Sequence, residues 1–150
     1  MKIKIITIGK KHEPWVGQGI EQFSKRLRQP FEAEFLIIPH SSKPEKEAID
    51  QESTTLLKRL KSDDYVILLD ERGDNLSSPE LSELLINHAH HQVVIVIGGA
   101  YGVNSQLRQR ADKIWSLSRL VFPHQLVRLI LIEQLYRAGE IAKGNPYHHS

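Results

Sequence analysis

The sequence predicts an α/β fold, a single domain spanning residues 1–150 around a parallel or mostly parallel sheet with helices on both faces. Two observations carry this. Short β-branched apolar runs alternate with longer segments of helical spacing, five pairs in succession, the pattern of strands joined by crossover helices. The run at 93–97, VVIVI, is apolar at every position, as a strand buried on both faces is. At 150 residues, 40% hydrophobic, the chain can bury one core, and no repeat, low-complexity stretch or linker divides it.

In order, residues 3–8 read as a strand ending at Gly9, and 14–27 as a helix with Trp15, Ile20, Phe23 and Leu27 on one face. A second strand at 35–38 closes at Pro39. Ser42 and Pro44 then open a charged helix that reaches about Lys61, and 65–69 is the third strand. Ser78 as N-cap, with Pro79 at the first helical position, starts a helix running to about His88. After the strand at 93–97 come a short helix at 104–111, a short strand at 114–117, and a long helix from Pro123 to a C-cap at Gly144. Residues 144–150 remain as an exposed C-terminal tail.

Composition excludes several chemistries. With no cysteine there are no disulfides, thiolate metal sites or cysteine nucleophiles, which suits a reducing cytoplasm. No window approaches eighteen apolar residues and the N-terminus lacks a cleavable leader pattern, so the chain reads as soluble, unprocessed and cytoplasmic, with no membrane partner. Charge is uneven: residues 1–102 carry 13 basic and 15 acidic side chains, residues 103–150 seven and three. That basic C-terminal third either meets phosphate or is an ordinary solvated face.

Ligands of open α/β sheets bind beyond the carboxyl ends of strands, where residues 69–73 and 98–102 fall. The loop GGAYG, with Gly98, Gly99 and Gly102, is either a backbone cradle or a plain tight turn. It matches neither the dinucleotide fingerprint nor the phosphate loop. The segment DERG, Asp70 to Gly73, reads as a charged turn in preference to an acid/base pair. His88, His90 and His91 read as a surface loop at a helix end in preference to a metal site. His124 stands at a helix start, where free N–H groups favour polar or anionic ligand groups, or simply packs there. Glu133 and Arg137 are spaced to pair with one another. Residues 126–136 are apolar nearly all round, which implies cover from a second subunit, or else a fully central helix. Tyr147, His148 and His149 combine a stacking surface with groups that exchange protons near neutrality.

Three blocks together, VIGGAYG at 96–102, LSRLVFPHQLVRLILIEQLYRA at 117–138 and NPYHH at 145–149, resemble the RlmH family of the SPOUT superfamily, 23S ribosomal RNA pseudouridine N3-methyltransferases. The resemblance covers the whole chain. It implies a mostly parallel sheet of five or six strands with a C-terminal trefoil knot, S-adenosylmethionine bound in the knot, and a homodimer. On the matching positions the cofactor would meet Leu69, Gly98, Gly99, Gly102 and the segment Leu117, Ser118, Arg119, Leu120, Val121 and Phe122. The substrate would be a pseudouridine in helix 69 of the 23S RNA in the assembled 70S ribosome, not DNA, and no metal is required. His148 would be the base at N3, with Tyr147 stacking on or orienting the ring. Arg128, Arg137 and Lys143 are candidate phosphate contacts. The tail departs from some relatives in ending at His149-Ser150 without a terminal basic residue. The competing readings are a non-enzymatic RNA-binding module and a nucleotide-binding domain of another enzyme class.

Overall fold

The computed structural model describes residues 1–149; Ser150, which the sequence reading places in the tail, lies outside them. Period-two alternation sorts the strand side chains into two cores. Strand β1 (Lys2–Ile8) sends Ile3 and Ile5 to one face and Ile6 and Ile8 to the other, and β4 (Val93–Ile97) splits Val93, Ile95 and Ile97 from Val94 and Val96. With β2 (Glu32–Ile38), β3 (Tyr65–Asn75) and β5 (Lys113–Ser116) they form one five-stranded sheet, all parallel, in the order β2-β1-β4-β3-β5. Helices α1 (Pro14–Arg26), α3 (Ser78–Asn87) and α5 (His124–Ala142) cover the first face, with α5 between the other two. Helices α2 (Glu45–Lys58) and α4 (Ser105–Arg110) cover the second. Each buried Ile, Val or Leu contributes about 1.5–3 kcal/mol. The central trio β1, β4 and β3 therefore anchors the fold.

The expected α/β class and strand sequence hold; several boundaries move. β2 starts at Glu32, because an edge strand paired only with β1 keeps Glu32 and Glu34 exposed and carries no apolar signal there. β3 does not stop at Leu69. Both Leu69 and Asp74 pair with Trp115, so Asp70 to Gly73 bulge out of an extended strand, where a charged turn was expected. Gly73 is required at that bulge, since a Cβ there would lie 2.5 Å from the Ile114 carbonyl oxygen. The cap of α3 is Ser77 rather than Ser78: its Oγ accepts from the Glu80 N–H at 3.3 Å, and the Glu80 carboxylate accepts from the Ser77 N–H at 2.6 Å. Pro123 precedes α5 instead of opening it, and Gly144 at φ +73° ends the turn after it.

Parallel strands gather their following loops at one end of the sheet: 9–13, 39–44, 98–104 and 117–123, together with the 70–73 bulge. α5 starts at this end and runs back to the other, where the tail emerges.

Candidate active site

Three of these segments enclose a cleft of about 520 Å³, within the size range of small-molecule sites. Its walls come from the β3 bulge, the glycine loop after β4 and the segment after β5. Of the residues expected to contact a cofactor, Leu69, Gly98, Gly99, Gly102, Leu117, Ser118, Leu120, Val121 and Phe122 all line it. Arg119 does not; it is exposed, with its neighbours on either side taking the wall. The cleft also includes Asp70, Glu71 and Arg72 of the DERG segment, which reads in sequence as a charged turn, Tyr101 of the GGAYG loop, and Val127, which no motif singles out.

The glycines have geometric reasons. A Cβ at Gly98 would meet Val103 Cγ1 at 2.7 Å, and one at Gly99 would meet Glu52 Oε1 at 2.5 Å. Gly102 has φ +85°, and its N–H closes a tight turn on the Gly99 carbonyl. The loop thus offers bare backbone to the cleft. From behind, Asn104 caps α4 and its N–H donates to Ser53 Oγ at 3.0 Å. The Asp70 carboxylate is held by Arg72 and by Arg108, while Glu71 stays exposed at the rim.

His124 ties the start of α5 to this loop. Its Nε2 lies 2.9 Å from the Gly98 carbonyl oxygen, an acceptor, so Nε2 carries the hydrogen. Burial lowers its pKa from the ordinary 6.5; the Gly98 bond opposes this and neighbouring Arg128 reinforces it. Burial and Arg128 lower His12 likewise. Both rings therefore take up protons less readily when folded than when unfolded. Their stabilisation is complete above about pH 6.5 and is lost as the pH falls toward the folded values. We expect urea unfolding to show stability falling between about pH 7.5 and 5.5, and His124→Gln, which keeps a donor for Gly98, to flatten that fall. An unchanged pH profile in the variant removes His124 as its source.

Arg128 corrects an expectation. Its side chain is 0% exposed and donates from Nη1 to the Lys10 carbonyl at 2.8 Å, with His12 Nδ1 at 3.2 Å. A buried guanidinium cannot contact a phosphate; this one pins the β1–α1 loop. Lys143 is exposed and pairs with Glu140 at 3.3 Å.

Tyr147 and His148 lie elsewhere in the chain. They fold back on α5 instead of projecting as a free tail, and neither lines the cleft. Arg137 is the hub: it pairs with Glu133, lies 4.7 Å from the Tyr147 ring centroid, and donates to His148 Nδ1 at 3.2 Å. Glu133 raises the pKa of Arg137 by accepting its hydrogen bonds, and burial raises that of Tyr147, whose hydroxyl lies 3.4 Å from Glu133. Arg137 and Val127, which lines the cleft, are ten residues apart, about 15 Å along a helix axis. The histidine cluster is a third, separate place, where His88 stacks on Tyr65 and bonds Leu84, and His91 bonds Asp63.

A family model described as "Predicted SPOUT methyltransferase" matches residues 1–148. The chain is 42% identical over 154 residues, covering all of both proteins, to the protein named "Ribosomal RNA large subunit methyltransferase H" of Geobacter metallireducens. Proteins of the same name from Desulfitobacterium hafniense and Francisella tularensis subsp. novicida are 40% and 38% identical over 99% of each chain. A solved structure, "a probable methylase family protein from Haemophilus influenzae Rd KW20", superposes with TM-score 0.60 at 12% identity, over 99% of this chain and 70% of that one. That likeness concerns the fold alone.

Proposed function

The chain belongs to the SPOUT methyltransferase family, and we propose that it transfers the methyl group of S-adenosylmethionine to N3 of a pseudouridine in 23S ribosomal RNA. The observation that supports this most is the cleft, where bare glycine backbone meets apolar walls beside a carboxylate rim. Leu69, Leu117 and Phe122 suit an adenine face, backbone N–H and C=O groups of the glycine loop and of 117–122 suit its edge, and Glu71 suits ribose hydroxyls. Bound there, S-adenosylmethionine supplies an electrophilic methyl on a cationic sulfur. The protein contributes alignment, on the order of 7–11 kcal/mol in well-oriented cases.

N3 of the neutral base carries a proton that must leave, and His148 is our candidate acceptor, with Tyr147 stacking on the ring. In the described arrangement the lone pair of His148 Nδ1 is occupied by Arg137. Substrate phosphate drawing Arg137 away would free it, so the two residues act in sequence. Because neither tail residue reaches the cleft of its own chain, we read the active unit as a homodimer in which the tail serves the partner's cleft. Leu120 and Val121 at the rim are 70% and 78% exposed, apolar surface that a second subunit would cover. We place the activity in the cytoplasm; among the described residues no helix is long and apolar enough to cross a membrane.

The test is calorimetric titration with S-adenosylmethionine, paired with transfer of labelled methyl to 70S ribosomes lacking the modification. Micromolar binding and one methyl per large subunit are expected. Binding of RNA without cofactor affinity would instead fit a non-enzymatic module.

A further inference from the structure

We propose that the loops following β1 and β2 form a phosphate-binding platform for the RNA substrate beside the cofactor cleft, with Lys10, Lys11 and Lys43 as its contact residues. The proposal rests on the RNA-methylating reading above and adds a surface that the basic C-terminal third did not suggest.

The placement follows from register. Ile8 pairs with Ile38, and the Gly9 N–H donates to the Ile38 carbonyl at 2.9 Å, so the two loops emerge side by side from strands about 4.8 Å apart. On its other side β1 pairs with β4, Thr7 opposite Ile97, immediately before the glycine loop. Lys10, Lys11 and Lys43 therefore stand at the same end of the sheet as the cleft.

The backbone under these lysines is tied while their ammonium groups are not. The Lys10 carbonyl accepts from buried Arg128, the Lys11 carbonyl accepts from Gln125 Nε2 at 3.3 Å, and the Glu13 N–H donates to Gln125 Oε1 at 3.0 Å. In the second loop the Ser41 N–H donates to Glu52 Oε2 at 2.8 Å, and the Lys43 N–H donates to Ser41 Oγ at 3.1 Å. Glu52 packs its other oxygen against Gly99, so one carboxylate braces both the platform and the cofactor loop. All three lysines are exposed, and among the described residues none forms an ion pair. Glu13, the acid nearest Lys11 in sequence, is engaged by Trp15 Nε1 at 2.7 Å. Cations on a pre-ordered backbone, next to a site for a nucleic-acid reaction, are suited to positioning the RNA backbone.

The experiment compares wild type, a Lys10→Ala/Lys11→Ala/Lys43→Ala triple variant and Lys25→Ala, whose lysine lies at the opposite end of the sheet. Read-outs are methyl transfer against ribosome concentration, binding of a protein-free 23S RNA fragment over a salt series, and S-adenosylmethionine affinity. In the triple variant we expect ribosome KM to rise about tenfold, kcat to stay within about twofold, and the log–log salt slope to shrink by about 2–3, near 0.7–0.9 per lost phosphate contact. Cofactor affinity and the Lys25→Ala control should match wild type. A triple variant with wild-type KM and salt slope overturns the platform. So does one that loses ribosome binding but holds the RNA fragment normally, because its partner would then be ribosomal protein. A wild type that binds RNA, through these lysines, yet transfers no methyl defeats the proposed reaction and leaves the platform supported.

Discussion

Gly98→Arg is expected to weaken S-adenosylmethionine binding at least about 100-fold, equivalent to about 2.7 kcal/mol, and to remove methyl transfer with it. The first atom added already collides, since a Cβ at Gly98 would sit 2.7 Å from Val103 Cγ1 and 3.4 Å from the Gly102 carbonyl carbon. Val103 can yield by a side-chain rotation, so alanine alone should be a milder lesion. The remainder of an arginine has to go into a cleft of about 520 Å³ that it would share with the ligand. It would also place a second cation beside the sulfonium. The scaffold should survive, because Gly98 lies just past β4, whose five residues are all buried without help from the loop. Far-UV circular dichroism should therefore stay native while calorimetric heats vanish. A Gly98→Arg protein that binds the cofactor as wild type does would put the cofactor somewhere other than this cleft.

How much of this was legible in the sequence depends on whether a feature is local. VVIVI reads as a central strand because burial on both faces leaves an apolar side chain at every position. The glycine loop is legible as exposed backbone because missing side chains are visible as letters, while the choice between cradle and plain turn is not. The bulge at Asp70 to Gly73 has no such signature: it arises because Leu69 and Asp74 both face Trp115, a partner some forty residues on. Arg128 misled for a related reason. An arginine in sequence reads as surface charge, and only the packing of α5 on the β1–α1 loop buries it against the Lys10 carbonyl. Lys10, Lys11 and Lys43 were hidden by averaging, since the net charge of residues 1–102 is acidic. The docking of Tyr147 and His148 was not legible, because it depends on Arg137 and Glu133 further back along α5. The knot rests on the family resemblance, since threading leaves no periodic mark on a chain.

Mixing two inactive variants should restore activity, and this outcome decides whether the tail works in its own chain or in its partner. Gly98→Arg keeps an intact tail but no cofactor site; His148→Ala keeps the site but lacks the proposed base, whose loss should cost about 10²–10⁴-fold in rate. Within one chain the tail is docked beside Arg137, about 15 Å along α5 from the cleft-lining Val127, and Tyr147 packs edge-on against Tyr136 at 4.7 Å. For the tail to reach its own cleft, those contacts must all break and the chain must reverse along the helix. In a two-fold dimer a tail that reaches the other subunit is matched by its symmetry mate, and a site assembled from both subunits in this way needs no such reversal. Random exchange makes half of the dimers mixed. Each mixed dimer holds one cleft with a sound cofactor site served by a sound tail, so the mixture should recover about one quarter of wild-type activity. A tail acting within its own chain predicts no recovery, because no protomer in the mixture carries both halves. Native mass spectrometry on the same samples resolves the mixed dimer from the two homodimers by mass, separating absence of exchange from absence of complementation.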